Sequence, residues 1–419
     1  MFGNRKAEKE LLKGGTKDCV TPNYTGFGIS NIMPTISKAL GLELKNQFTI
    51  SPDFLDYDIF KGVKNIVFLL LDGLGYEQLL WELKKNKNLA LGDVIKDDTF
   101  FPLTSTLPST TTTALTTLNT GLTPQEHGIM GYRMYLARFG VVSNMIRFGP
   151  AGGSSTFSEI GLSPASFINL DTIFQKLNKK RVKSFIAAHV NYTDSPLSQM
   201  IYRGADYIPF MDTQDMFSQI RKVLERKSSK KSLIYAYLDI IDSASHQHGV
   251  KTRALSKEIA DLDSCLLNDI LNKNHPETLL IISADHGHIN SSLKRTVYFH
   301  DHGDLLNCLR VPPVEDWGRL SYLFVKKGKK NYVKNYIETN FSKKAFIYDS
   351  KDLLERGFFG LNKPRKETLG RIGDLILIPK SNYAFVHPYT IEELFSWVTG
   401  RHGGMSKEEM LVPFICKRL

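Results

Sequence analysis

Acids and histidines recur in this chain at the points where apolar runs stop. Asp72 follows NIVFLLL; Asp242 and His246 lie in DSASHQHG; Asp285, His286 and His288 lie in SADHGH; His402 lies in GRHGG. Carboxylate oxygens and imidazole nitrogens together suit zinc and harder divalent ions, whereas a soft-metal site would use cysteine. The set is larger than one ion needs and about right for two ions a few ångströms apart. Such a pair activates a nucleophile on one side and holds phosphoryl oxygens on the other. Each fragment alone has a plainer reading. DHGH can be a turn with a hydrogen-bonded histidine, DxxxH one helical turn with a surface ion pair, GRHGG a turn, and Asp72 a helix cap. Their joint occurrence in this order argues for a shared site.

Between the first two fragments lies Phe101–Arg133, FPLTSTLPSTTTTALTTLNTGLTPQEHGIMGYR, with eight threonines from Thr104 to Thr117 and four in a row, Thr110 to Thr113. Threonine is β-branched and a mediocre helix former, so such a run is a poor solvent-facing helix. At a helix N-terminus it is well placed, because hydroxyls accept from unpaired amides there. The positive end of the helix also favours bound phosphate and a developing alkoxide. A threonine hydroxyl is a weak nucleophile at neutral pH and needs a base or a metal. No obvious base accompanies the run, so metal coordination is the expected activation.

These residues need a scaffold, and the apolar patterning predicts one. Asn65–Leu71 is a continuous apolar run ending at Asp72-Gly73-Leu74-Gly75, as a buried parallel strand reads, and Tyr76–Lys85 follows as a helix. Val182–Ala187, Ser232–Ile240 and Thr278–Ile282 repeat that grammar, with an amphipathic helix over Thr252–Leu271 between the last two. In open parallel sheets the ligand site lies beyond the carboxyl ends of the strands, where the acids and histidines fall. The expected fold is α/β: a doubly wound, mostly parallel sheet sandwiched by helices. Residues 1–63 read as an N-terminal arm with one helix, Asn31–Gly41. Residues 64–296 and 383–419 read as the catalytic core. Residues 297–382, with strands at Leu320–Val325 and Asp374–Ile378 and a helix near Asn331–Asn340, read as an inserted α+β cap module.

Composition narrows the class. The 419 residues are 42% apolar, enough for a full core. The net charge of +11 fits a cavity that attracts anions; nucleic-acid binding is a less favoured reading, since the basic residues sit in small turn-like clusters such as Lys227–Lys231. Cys19, Cys265, Cys308 and Cys416 form no CxxC pair, which argues against a thiolate zinc site and fits a reducing, cytoplasmic setting. The longest apolar runs fall far short of the ~20 residues of a membrane span.

The order and spacing of these motifs resemble the alkaline phosphatase superfamily, and within it the type I phosphodiesterase/nucleotide pyrophosphatase family. The carrying residues are Pro108, Ser109, Thr110 and Thr111, then Thr120-Gly121, Pro124 and His127-Gly128; Asp242, His246 and Gly249; Asp285, His286 and Gly287; and His402-Gly403. The resemblance covers about residues 64–135, 235–290 and 395–415. Its register implies Thr111 as nucleophile, with Thr110 in reserve. It implies one ion held by Asp72, Asp285, His286 and the Thr111 oxygen, and another held by Asp242, His246 and His402. Zinc suits the histidine-rich set, and manganese or another divalent ion suits the same donors. The implied function is hydrolysis of phosphodiester or pyrophosphate bonds in nucleotide-type substrates through a phospho-threonine. A phosphomonoesterase or phosphonate hydrolase on the same core is the alternative. Ala114 stands where many relatives have an asparagine that binds a phosphoryl oxygen; Thr112 N–H, Arg133 and Asn144 are the candidates to replace it. Of the remaining histidines, His288 is read as a supporting partner or a turn residue. His127 is read as fixing the turn after the helix, and His300 and His302 as part of a polar loop. Gly149–Ser155 reads as a flexible loop near the site.

Overall fold

The computed structural model describes residues 5–13, 19–226 and 229–419; Lys227 of the basic cluster and parts of the N-terminal arm lie outside that range. The central sheet is built from β1 (Asn65–Leu71), β2 (Thr99–Thr104), β3 (Lys183–His189), β4 (Asp206–Phe210), β5 (Ser232–Leu238), β6 (Thr278–Ser283) and β7 (Leu411–Arg418). Its strand order is β2-β7-β6-β1-β5-β3-β4. β7 is antiparallel to both neighbours, and β1 pairs in parallel with β5 and β6. This is the mostly parallel sheet flanked by helices that the apolar runs predict.

β1 lies at the centre because it can be covered on both faces: Ile66 to Leu71 are each at most 1% exposed. β2 and β4 are the strands that the sequence pattern does not reveal. Both are edge strands, and both carry a proline, Pro102 and Pro209. Proline removes a ladder donor and argues against a strand in sequence, but an edge tolerates it.

The helix Thr111–Thr120 starts in a turn after β2, with Thr110 as an extended N-cap and Gly121 in the left-handed conformation (φ +71) as its stop. It tolerates so many threonines because it is buried. Thr112, Thr113, Thr116, Thr117 and Thr120 are at most 1% exposed, and Thr116 and Thr120 bond back to the carbonyls of Thr112 and Thr116.

Within 297–382, the strands Val314–Asp316, Leu320–Leu323, Leu375–Pro379 and Ala345–Asp349 form an antiparallel sheet. Its two faces serve different cores. Leu375 and Leu377 join a small cluster with Val333, Ile337 and Phe341, while Ile376 and Ile378 join the main core. A buried ion pair ties this region to the returning chain: Arg319 Nε and Nη2 donate to the two Glu409 oxygens at 3.0 and 2.8 Å. Among the described residues, no helix is long and apolar enough to cross a membrane.

Candidate active site

Three strand ends and one late turn converge. Asp72 follows β1; Asp285 and His286 follow β6; Asp242 and His246 lie one turn apart on the helix Ile240–His248 after β5; His402 lies just after the short strand Gly400–Arg401. The close approach of the first two turns requires glycine. A Cβ on Gly73 (φ +78) would stand 2.6 Å from His288 Cε1 and 2.9 Å from Asp242 Cα, and one on Gly287 would stand 2.1 Å from Glu408 O. The glycines after Asp72 and His286 therefore serve close packing.

The distances define two neighbouring groups. In one, His286 Nε2 lies 3.4 Å from Asp72 Oδ1, 3.2 Å from Asp285 Oδ2 and 3.2 Å from Thr111 Oγ1. Thr111 Oγ1 is also 3.5 Å from Asp72 Oδ2. In the other, Asp242 Oδ1 faces the Nε2 atoms of His288 at 3.1 Å, His246 at 3.4 Å and His402 at 3.9 Å. His286 and His402 stack with ring centroids 3.8 Å apart. Thus every sequence-predicted ligand, and Thr111, is brought to one place. His288 joins them, 3% exposed, and its position after Asp-His-Gly is the signal that could have found it.

The protons on these imidazoles follow from their partners. His246 Nδ1 is 2.8 Å from Gly400 O, His402 Nδ1 3.0 Å from Ser109 O, His286 Nδ1 3.2 Å from Gly287 O and His288 Nδ1 3.3 Å from Gly73 O. A carbonyl only accepts, so each Nδ1 carries the hydrogen and each Nε2 presents a lone pair. Four lone pairs then face a cluster of carboxylates. Asp72 Oδ1, Asp242 Oδ1, Asp285 Oδ2, His246 Nε2 and His288 Nε2 are all buried without a hydrogen-bond partner. Burial pushes the Asp72 carboxyl well above its usual range, and the charges of Asp285 and Asp242 push it further. Burial likewise brings His246 down to about 4 and lowers His286 and His402. Neutral imidazoles among mutually repelling carboxylates, with orphaned donor atoms, fit divalent cations.

The structure separates the two candidate nucleophiles. Thr110 is 1% exposed, and its hydroxyl donates to Asp316 Oδ1 at 3.0 Å. Thr111 is half-buried and points at Asp72 and His286. Asp316 Oδ2 also accepts from Tyr132 N at 2.8 Å, so the 297–382 segment braces Thr110, the residue before Thr111. The next residue, Trp317 (φ +48), packs on the His246 ring at 4.2 Å and stacks on Tyr132 at 5.5 Å. Burial pushes Asp316 up to about 7, which makes asparagine a fair mimic. Asp316→Ala strips two buried donors of their acceptor and should lower stability by about 1–3 kcal/mol. Asp316→Asn should cost much less. Urea unfolding midpoints check this, and equal midpoints for alanine and wild type would refute the brace.

Neither side chain offered in place of the missing asparagine is free to take that role. Arg133 forms a buried ion pair with Glu315 and a half-buried one with Glu393, and Asn144 donates to Tyr132 Oη at 2.6 Å while accepting from two amides. Ala114 is fully buried. The amides of the first helical turn, Thr112 N–H among them, lack intrahelical acceptors and are the donors left at that end of the helix. His127 holds the turn after the helix: Nδ1 accepts from Ile129 N at 3.0 Å and Nε2 donates to Thr117 Oγ1 at 2.9 Å. His300 pairs with Asp301 at the surface, and His302 bonds to Tyr336 and packs on Phe341. In Gly149–Ser155, Gly149–Pro150 is a short strand rather than loop, while Gly152–Ser154 line an open cavity with Tyr389. Beside Thr111 lies another cavity of about 230 Å³, walled by Ile146, Tyr192, Leu197, Tyr202, Tyr237 and Asp239.

A family model described as type I phosphodiesterase/nucleotide pyrophosphatase matches residues 66–405. Comparison with curated protein sequences gives no match. Among solved structures, murine ectonucleotide pyrophosphatase/phosphodiesterase 5 aligns with TM-score 0.60 and 16% identity over 83% of this chain and 87% of that one. The human protein of the same name aligns with TM-score 0.60 and 17% identity over 84% and 87%. Phosphonoacetate hydrolase from Sinorhizobium meliloti 1021, in complex with phosphonoformate, aligns with TM-score 0.64 and 16% identity over 84% and 89%. At such identities the structural likeness is one of fold. The family match over most of the chain carries the assignment: this protein belongs to the type I phosphodiesterase/nucleotide pyrophosphatase family and is a hydrolase of phosphoester-type bonds.

Proposed function

We propose that this protein is a phosphodiesterase that works through a phospho-threonine on Thr111. The carrying observation is the hydroxyl of Thr111, 3.2 Å from His286 Nε2 at the mouth of the helix Thr111–Thr120. Two divalent ions, zinc by donor chemistry, would be held by Asp72, Asp285 and His286 with Thr111, and by Asp242, His246 and His402. They would supply the positive charge that acidifies the threonine hydroxyl and neutralises phosphoryl oxygens. Thr111 Oγ forms the new bond to phosphorus as the leaving oxygen departs on the far side. The first-turn amides donate to the charged oxygens. Water then cleaves the phospho-threonine and restores the hydroxyl. Among solved relatives, the murine protein in a form with threonine changed to alanine is described as inactive and was solved with AMP, which supports both the nucleophile and a nucleotide-type substrate.

The cavity walled by Thr111 favours a diester. In-line attack sends the leaving group away from the nucleophile, so a pocket on the nucleophile's side takes a group that stays on phosphorus. A monoester has no such group. Phosphonoacetate has none either, since its carboxylate sits on the carbon that leaves phosphorus. The net charge of +11 suits a small anionic substrate, and four cysteines outside any disulfide suit a cytoplasmic setting. The test is turnover of bis-p-nitrophenyl phosphate, p-nitrophenyl phosphate and phosphonoacetate, before and after a chelator. The diester should lead by about tenfold or more, equal to ~1.4 kcal/mol. Activity should vanish on chelation and return with zinc or manganese. Faster turnover of the monoester or of phosphonoacetate, or activity that survives complete metal removal, would sink the proposal.

A further inference from the structure

We propose that this chain carries a second small-molecule site, apart from the histidine–carboxylate cluster, which takes a singly charged aromatic acid with its ring among Phe139, Phe148 and Phe167 and its carboxylate on Arg371. A cavity of about 340 Å³ lies there, and none of the strand-end acids and histidines lines it. Ligand pockets commonly measure about 300–1,000 Å³ and are mostly apolar with a few placed polar groups. This wall follows that pattern. Phe148 is fully buried and meets Phe167 edge-on at 5.0 Å and Phe157 at 5.2 Å. Phe139 packs on Phe157 at 5.6 Å yet stays 36% exposed, which leaves an apolar ring with uncovered surface on the cavity wall.

Arg371 supplies the charge. It is half-buried, yet among the described residues it forms no ion pair, and Glu367 on the same wall pairs at 3.6 Å with Arg365 instead. The sheltered Arg133 and Arg319 differ: the first meets Glu315 and Glu393, the second Glu409. Arg371 Nη1 donates to Gly128 O at 2.6 Å, and the guanidinium lies 5.3 Å from the centre of the Phe167 ring. A guanidinium carries five N–H donors in a fork that matches a carboxylate, so most of that capacity is left for an anion. Burial, with the Arg365 charge beside it, brings Arg371 down to about 10, and a bound anion relieves that cost. The group is also held in place beforehand. A Cβ on Gly128 (φ +78) would stand 2.8 Å from Arg371 Nη1, so the guanidinium is seated against bare backbone and little freedom is lost on binding. Arg371 and Arg138, both on the wall, repel a cation, while Glu367 disfavours a doubly charged phosphate.

The test is calorimetric titration of the full zinc-loaded chain with 2-naphthoate, and with 2-naphthamide as its uncharged counterpart. The acid should bind with a Kd of about a millimolar or tighter. The amide should bind about tenfold more weakly or worse, and Arg371→Gln should lose a similar factor for the acid. Gly370→Trp asks the same question without touching Arg371. Gly370 lines the cavity, and a Cβ there meets no atom within 4 Å, so the indole occupies the cavity in a folded chain and should abolish binding. No binding to wild type, equal binding of acid and amide, or binding that survives Gly370→Trp would overturn the proposal. The diesterase reading stands apart from all of these outcomes, because no residue of its cluster lines this cavity.

Discussion

Thr111→Ala should leave a folded protein whose turnover of phosphodiesters falls by on the order of 10⁴-fold or more, as loss of a covalent nucleophile commonly does. Thr111 is half-buried and makes no bond that holds the helix, so the change removes reactivity with little packing. Thr111→Ser keeps the hydroxyl and should retain a substantial part of the rate. Thr110→Ala breaks the bond to Asp316 without touching the ligand cluster, and should stay within about tenfold of wild type. Mass spectrometry after a rapid acid quench should find phosphate on the peptide that carries Thr111. Turnover at the wild-type rate in Thr111→Ala, with Thr110→Ala dead, would move the nucleophile by one residue.

The largest stability effect should come from Arg319. It is fully buried, and besides Glu409 it donates to the carbonyls of Ser381 and Tyr383. Removing one partner of such a pair strands the other charge, at about 3–5 kcal/mol. Arg319→Ala should therefore shift the urea midpoint sharply. Replacing both partners, Arg319→Met with Glu409→Leu, should recover much of the loss. Burial opposes ionisation of Glu409, but Arg319 holds its carboxyl below the ordinary 4.5. The carboxylate's contribution is thus complete above about pH 4.5 and lost as pH falls through the lower folded value, so the Arg319→Ala penalty should shrink in acid. A penalty that grows in acid, or a midpoint unmoved at neutral pH, would contradict this.

The parts of the fold legible in sequence are those set by local composition. Asn65–Leu71 and Tyr76–Lys85 are found at their expected bounds, because an unbroken apolar run and an amphipathic period each identify one kind of element. The edge strands were hidden by their prolines, since nothing local says that a strand will lie at an edge. In the site, the acids and histidines stood out because strand ends are where ligands gather. Asp316 and Trp317 did not, because their role comes from a contact 206 residues away in sequence, between Thr110 and Asp316. Arg133 misled for the complementary reason. A cation next to a catalytic motif suggests an anion, but its partners, Glu315 and Glu393, arrive from distant segments.

The strand order carries a consequence for how the chain is made. β2 has β7 as its one strand neighbour in the central sheet, and β7 comes from residues 411–418. A growing chain therefore carries β2, and the loop to Thr111 behind it, unanchored to the sheet while some three hundred residues are still being added, as their positions in sequence require. His402 emerges only a few residues before β7. Assembly of the histidine–carboxylate cluster and sheet closure thus fall in the same late stretch of synthesis, so the Thr111 hydroxyl gains its surroundings only when the fold is nearly finished.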